Sequence, residues 1–289
     1  MTQNTEPEKW REGMDPFTLP LQSVQIQKIL GYPHAANQVF YLKGLRNGQE
    51  GYYYLKYAAH VDANLQNEVE IIRTLHSPLA PKVLEYDAEH FQYELTEQIE
   101  GKRLSIILKQ TGSDNGLAFM REYGKTLAVL HQSKGTFPDA PHRRFHTIPE
   151  RTHFAENGME NVYSWLWDKQ PQQIHSCFIH GDFHFANILW NAGHISGILD
   201  FELAGMGNRE FDIAWSLILR PGQNFMKTKE ELREFLLGYT SLHECDCDLV
   251  LYYMVLIYSR FLKLGDAQYE NYVRAWMNAA IQDGKRQIL

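Results

Sequence analysis

The segment His180-Gly181-Asp182-Phe183-His184-Phe185-Ala186-Asn187, with Asp200 thirteen residues beyond the asparagine in Gly197-Ile198-Leu199-Asp200-Phe201-Glu202, restricts the fold more than any other feature of this chain. Three polar residues, Asp182, Asn187 and Asp200, stand in order around two apolar strand candidates, Ile188-Leu189-Trp190 and Ile195 to Leu199. Phosphoryl transfer uses the same order. One aspartate accepts the proton of the attacking hydroxyl, an asparagine four intervening residues on binds Mg²⁺, and a second aspartate at the end of a following strand binds Mg²⁺ again. The spacing has a physical reason: the loop points a carboxylate at the nucleophile while its far end reaches back to the metal that neutralises the β- and γ-phosphates. The pattern predicts a phosphoryl-transfer site.

At these residues the chain resembles the aminoglycoside phosphotransferase and choline kinase superfamily of small-molecule kinases, whose pattern is His-Gly-Asp-x-x-x-x-Asn and then an apolar strand ending Asp-Phe-Glu. Protein kinases usually carry His-Arg-Asp and Asp-Phe-Gly; Gly181 and Glu202 stand at the differing positions and favour the small-molecule branch. The resemblance runs from about Val24 to the last helices, with its specific motifs confined to the catalytic segment. It implies an α+β, protein-kinase-like two-lobe fold. An N-terminal antiparallel sheet with one helix, over residues 15–97, is the nucleotide-binding lobe, and a mainly helical C-terminal lobe, over residues 98–289, carries catalysis and substrate binding, with ATP between them. ATP and Mg²⁺ are the implied cofactors. Asp182 is the implied catalytic base, with Asn187 and Asp200 as metal ligands.

Length and composition set outer limits. A chain of 289 residues can bury one large core or two. Its net charge of −7 argues against a nucleic-acid partner, because neutralising phosphates needs clustered Lys and Arg, and it suits a cationic substrate. The first fourteen residues are polar and charged, without an apolar segment and small-residue cleavage site, so a cytoplasmic location is expected. The longest apolar run, Leu249 to Tyr258, is too short to span a bilayer and reads as a buried helix. Cys177, Cys245 and Cys247 form no CxxC pair and support neither a disulfide framework nor a zinc knuckle. Oligomeric state is left open.

Along the chain, residues 25–57 read as strands, with Gln38 to Leu45 and Gly51 to Tyr57 joined through the turn Arg46-Asn47-Gly48. Asn64 to Leu75 reads as a helix, with Leu65, Val69, Ile72 and Leu75 at helical spacing. A strand-borne lysine and a helix-borne glutamate form the ion pair that fixes the lysine on the α- and β-phosphates of a bound nucleotide. Lys56 and Glu68 fill those places, with Glu70 as the alternative partner. Pro81 to Tyr86 and Phe91 to Gln98 read as the last strands of the small lobe, and Glu100-Gly101 breaks them. By resemblance, hinge backbone near Glu97, Gln98 and Ile99 holds adenine, and Leu95 guards the back of its pocket. The segment Gly31 to Asn37 is the candidate phosphate-covering loop. No Gly-x-x-x-x-Gly-Lys-Ser/Thr occurs, which excludes a P-loop by motif. Helices are expected over Asn115 to Gln132, through Trp165 and Trp167, and over Phe211 to Leu219, Lys229 to Thr240, Asp248 to Lys263 and Tyr269 to Lys285.

His180 and Asp212 are assigned, by resemblance, to bracing the catalytic loop, and His131 reads as a satisfied structural histidine. Two rival readings present themselves. His180-x-Asp182-x-His184 with Asp200 matches a metal-dependent hydrolase ligand set, but leaves Asn187, Lys56 and Glu68 without roles. A non-catalytic nucleotide-binding module would have lost a lysine, an aspartate or a metal ligand, and none is missing. The acceptor expected is the hydroxyl of a small molecule: an aminoglycoside or other antibiotic, or a cationic amino alcohol such as choline. Glu202, Glu230, Glu231, Glu234 and Glu244, or an aromatic cage from Trp215, Tyr252, Tyr253 and Trp276, would meet such a cation.

Overall fold

The computed structural model describes residues 13–33, 37–60, 63–112, 115–173 and 175–289. Of the candidate phosphate-covering loop, residues 34–36 lie outside these. The chain divides into two compact units. One joins the chain up to Glu100 with the short segment Gly197–Leu203; the other joins Gly101–Ser196 with Ala204–Leu289.

In the first unit, strands β1 (Gln25–Gly31), β2 (Gln38–Arg46), β3 (Gln49–Tyr57), β4 (Val83–Tyr86) and β5 (Tyr93–Glu97) form an antiparallel sheet in the order β1-β2-β3-β5-β4. The β2–β3 hairpin closes on the pair Arg46 and Gln49. Asn47 and Gly48 between them both have positive φ, 51° and 78°, the combination that follows the right-handed twist of the strands. Side chains alternate along a strand, so one face of the sheet carries Phe40, Leu42, Leu55 and Leu95 into an apolar core with Val24 and Ile29. Lys56 faces the other way, toward helix α1 (Leu65–Leu75). Asn64 caps α1 by accepting the Asn67 N–H at 3.3 Å, and the helix buries Leu65, Val69, Ile72 and Leu75.

The second unit is mainly helical: α2 (Leu104–Thr111), α3 (Leu117–His131), α4 (Arg151–Ala155), α5 (Glu160–Asp168), α6 (Arg209–Leu217), α7 (Lys229–Thr240), α8 (Cys247–Phe261) and α9 (Ala267–Asp283). Strand β6 (Ser176–Ile179) pairs with β9 (Gly205–Asn208), and β7 (Ile188–Asn191) with β8 (His194–Ile198). The sequence reading contained neither α2 nor the β6–β9 ladder. α2 is short and has no side-chain hydrogen bond at its N-cap, while β9 is Gly-Met-Gly-Asn, so neither shows a start signal or an apolar alternation. Helix α8 is buried along its length. Among the described residues no helix is long and apolar enough to cross a membrane.

Helices α3 and α7 meet at glycines. A Cβ on Gly124 would lie 1.9 Å from the Phe235 carbonyl oxygen, and one on Gly238 would lie 1.9 Å from that of Arg121. The backbones touch directly, which brings His131 on α3 within 2.7 Å of the Tyr239 hydroxyl on α7.

Candidate active site

In the first unit, Lys56 Nζ stands 2.6 Å from Glu68 Oε2, 2.6 Å from Asp200 Oδ1 and 3.9 Å from Glu202 Oε2. Glu70 is exposed and accepts instead from Gln66 Nε2 at 2.9 Å. The helix also ties down the segment carrying Asp200. Glu68 Oε1 accepts the Phe201 N–H at 3.2 Å, and Asn67 Nδ2 donates to the Glu202 carbonyl at 3.1 Å. Glu94 sits opposite Lys56 in the β3–β5 register and is buried. Burial alone would strip Lys56 of its proton, but Glu68, Asp200, Glu202 and Glu94 outweigh it and raise the ammonium well above its usual value. Burial likewise pushes Glu68 up to about 7 against the pull of Lys56, and burial with the Glu68 charge lifts Glu94 well above the carboxylate range. One cation thus serves several acids, and some of them hold protons near neutrality. Asp200 adopts φ of +69°, a left-handed conformation that non-glycine residues enter at a cost, held here by the contacts of its own segment.

The hinge candidates occupy the end of β5. The Glu97 N–H donates to the Lys82 carbonyl at 3.0 Å and the Gln98 N–H to that of Tyr52 at 3.1 Å, so the sheet already uses both donors. The Glu97 carboxylate pairs with Arg46 and Lys82. Ile99 packs at Gly197, where a Cβ would fall 2.7 Å from its Cγ2. Leu95 does not guard a pocket on the Lys56 face: it pairs with Leu55 and points into the core on the opposite face. The side chains actually sharing the Lys56 face include Tyr41 and Tyr54, stacked at 5.0 Å, with the Tyr41 hydroxyl donating to Gln98 Oε1 at 3.1 Å.

In the second unit the loop between β6 and β7 holds Asp182 and Asn187. Asp212, in the first turn of α6, accepts the His180 N–H at 2.8 Å on one oxygen and the Gly181 N–H at 3.0 Å on the other. His131 Nε2 lies 3.2 Å from the same carboxylate, and its Nδ1 meets the Tyr239 hydroxyl. His180 Nδ1 accepts the Asp182 N–H at 3.2 Å. These residues fix the loop. Asn187 Nδ2 donates to the Asp182 carbonyl and to its Oδ2, both at 3.1 Å, which leaves the amide oxygen as the atom that can meet a metal.

Asp182 is held on both sides. Its Oδ2 takes the Asn187 bond and lies 3.4 Å from His184 Nε2; its Oδ1 accepts from Trp215 Nε1 at 2.7 Å and lies 3.8 Å from Arg143 Nη1. Burial pushes this carboxyl up, but His184, Arg143 and Arg220 outweigh burial and hold it well below the usual carboxylate range. It is an ionised acceptor at any physiological pH. Arg143 and Arg220 had no place in the sequence reading, and Trp215 entered only as a cage wall. The two arginine Cζ atoms in fact stand 4.2 Å and 5.0 Å from the Trp215 ring centroid, so this chain's own cations cover the indole. Tyr252, Tyr253 and Trp276 are buried. The acidic residues expected to meet a cation are dispersed. Glu231 caps α7, Glu234 pairs with Arg121, Glu202 stands by Lys56, and Glu230 and Glu244 are exposed.

The donors suit a hard divalent cation. Glu68, Asp200 and Glu202 form the one group of three ligand-type residues among the described residues whose donor atoms lie within 4.8 Å of one another, and their oxygens suit a hard cation. The hydrolase set does not assemble in that way. His180 is fully buried and accepts from the loop backbone, and His184 Nδ1 accepts the Ala186 N–H at 3.3 Å.

A family model described as the phosphotransferase enzyme family matches residues 31–245. Comparison with curated proteins gives no match. Among solved structures, a choline/ethanolamine kinase family protein from Mesorhizobium loti is 17% identical, with a TM-score of 0.55 over 94% of this chain and 92% of that one. Amicoumacin kinase hAmiN, in complex with AMP-PNP, Ca²⁺ and Ami, is 18% identical, with a TM-score of 0.53 over 90% and 88%. A thermostable mutant of aminoglycoside phosphotransferase APH(4)-Ia, in a ternary complex with AMP-PNP and hygromycin B, is 15% identical, with a TM-score of 0.57 over 92% and 94%. Identities this low speak for the α+β, kinase-like fold; the family rests on the matched model, which spans most of the sequence and includes the loop from His180 to Asn187 and the segment around Asp200. The chain belongs to the phosphotransferase enzyme family, as a small-molecule kinase.

Proposed function

We propose that this protein transfers the γ-phosphoryl group of ATP, with Mg²⁺, to a hydroxyl of a small molecule, and that it works in the cytosol, where both are supplied. The observation that carries the reading is the buried Lys56, 2.6 Å from both Glu68 and Asp200: a positioned cation beside a metal-ligand carboxylate is what a polyphosphate needs. Lys56, steadied by Glu68, takes the α- and β-phosphates. Asn187 and Asp200 are the metal ligands, and backbone around Glu97, Gln98 and Ile99 takes the base. Magnesium at these ligands would neutralise charge on the β- and γ-phosphates. Asp182 orients the acceptor hydroxyl and receives its proton late, as the new P–O bond forms and the bond to the β-phosphate oxygen breaks, releasing ADP. The names of the similar structures make aminoglycosides, other antibiotics, choline and ethanolamine the first acceptors to assay.

The reading is tested with two variants. Asp200→Ala is expected to lose Mg²⁺-dependent ATP binding, whereas Asp182→Asn should keep nucleotide affinity and lose turnover by on the order of 10² or more. A folded Asp200→Ala protein that binds ATP·Mg²⁺ as tightly as the unaltered chain would refute it. So would metal loss from Asp182→Asn without nucleotide, which the hydrolase arrangement requires.

A further inference from the structure

The two oxygens of Asp182 divide the loop into two sides. Oδ2 faces Asn187, the proposed metal ligand. The acceptor hydroxyl must come within hydrogen-bond reach of this carboxylate, whose other oxygen, Oδ1, faces a second group of side chains. What stands there is Trp215 with Arg143 and Arg220 over its ring.

The two guanidinium groups share one close carboxylate, Asp182. Arg143 donates to the Gly181 carbonyl at 2.6 Å and stays 3.8 Å from Asp182. Arg220 donates to the carbonyls of Ile218 and Trp215, both at 3.1 Å, and has no carboxylate within ion-pair distance among the described residues. The nearby Asp212 spends both oxygens on the His180 and Gly181 N–H groups and on His131. Among the described residues both guanidinium groups keep N–H donors beyond those used in these bonds. Burial draws both below the usual arginine value. Burial with the Arg143 charge also depresses His146, to about 4. Arginines held this way, planar, stacked on an indole and short of acceptors, are suited to a bidentate oxyanion. An amine there would meet two cations against the single carboxylate of Asp182.

We infer that the acceptor carries an anionic oxyacid group, a carboxylate or a phosphate monoester, which Arg143 and Arg220 hold while Asp182 receives the proton of its hydroxyl. This rests on the kinase reading above and replaces the cationic acceptor expected from net charge. Arg143 and Arg220 act as specificity-determining residues.

The test is calorimetric titration of the full chain after saturation with AMP-PNP·Mg²⁺, which fills the proposed nucleotide site. Four probes are compared: glycerate as carboxylate, glycerol 3-phosphate as phosphate monoester, glycerol as neutral control and choline as cation. At least one anion should bind ten or more times as tightly as glycerol or choline. Raising potassium chloride should weaken it, and Arg143→Gln or Arg220→Gln should weaken it at least tenfold, with AMP-PNP affinity unchanged. Arg143→Lys and Arg220→Lys, which keep the charge and the packing stem, should retain part of the binding and guard against a folding defect. The inference is overturned if choline binds more tightly than either anion, if neither anion binds saturably, or if both glutamine variants bind the anion like the unaltered protein. Failure to bind AMP-PNP·Mg²⁺ in the first step removes the kinase reading itself, a separate result.

Discussion

Replacing Trp215 with Phe removes one bond at the proposed base while keeping an aromatic ring beneath Arg143 and Arg220. The indole N–H donates to Asp182 Oδ1 at 2.7 Å, and the ring is 6% exposed. A hydrogen bond to a charged group contributes about 1.5–3 kcal/mol, and each 1.36 kcal/mol of barrier corresponds to roughly tenfold in rate. If the whole bond served to aim the carboxylate, turnover would fall by roughly 10- to 100-fold. Asn187 still holds Oδ2 at 3.1 Å, so part of the aim survives, and we expect a loss on the order of tenfold in kcat. A second effect has the opposite sign for basicity. Removing a donor from the ionised form raises the Asp182 pKa, but from so far below the usual carboxylate range that the carboxylate should stay ionised near neutral pH. Nucleotide affinity, read by AMP-PNP titration, should stay unchanged. The assay is ADP release across pH with the best acceptor, with near-ultraviolet circular dichroism to confirm an intact fold. Unaltered kcat in a folded variant would show that Trp215 does not orient Asp182.

Two further outcomes concern the scaffold. Gly124→Ala should lower the melting temperature by several degrees: the helix-propensity gain of about 1 kcal/mol is smaller than the overpacking cost, roughly 3 kcal/mol or more, of a Cβ placed 1.9 Å from the Phe235 carbonyl, and a variant as stable as the parent would show that α3 and α7 can part freely. His146, which burial and then the Arg143 charge lower from 6.5 to about 4, binds its proton less readily folded than unfolded. Its contribution to stability is therefore present above pH 6.5 and lost as pH falls toward 4, so urea unfolding of His146→Gln should show a shallower loss across that window.

What could be read in the sequence follows from how far apart the cooperating residues lie. Asp182 and Asn187 are five apart in one loop and hydrogen-bond to each other, a separation over which loop length carries the geometry. Lys56 and Glu68 are twelve apart, and helical spacing from Leu65 to Leu75 separates Glu68, on the buried side, from the exposed Glu70. His131 was readable for the same reason, as a polar residue on an otherwise apolar helix face. Arg143, Trp215 and Arg220 converge on Asp182 from a loop, a helix and the turn after it. No local period joins them, and arginine in a loop ordinarily signals a solvated surface. The misplacement of Leu95 has another cause. The resemblance supplied a position along β5, but the face is set by strand register, and a one-residue difference in register reverses it.

The left-handed backbone at Asp200 puts the stability of this protein and its chemistry in opposition at one residue. Glycine or asparagine would occupy φ of +69° more comfortably than aspartate, and neither offers a carboxylate. A population selected only for thermal resistance would therefore drift toward glycine or asparagine at position 200 and lose catalysis on the way. On the proposed function, aspartate there is kept for its carboxylate rather than for the fold, and consensus design on this scaffold should leave that codon untouched.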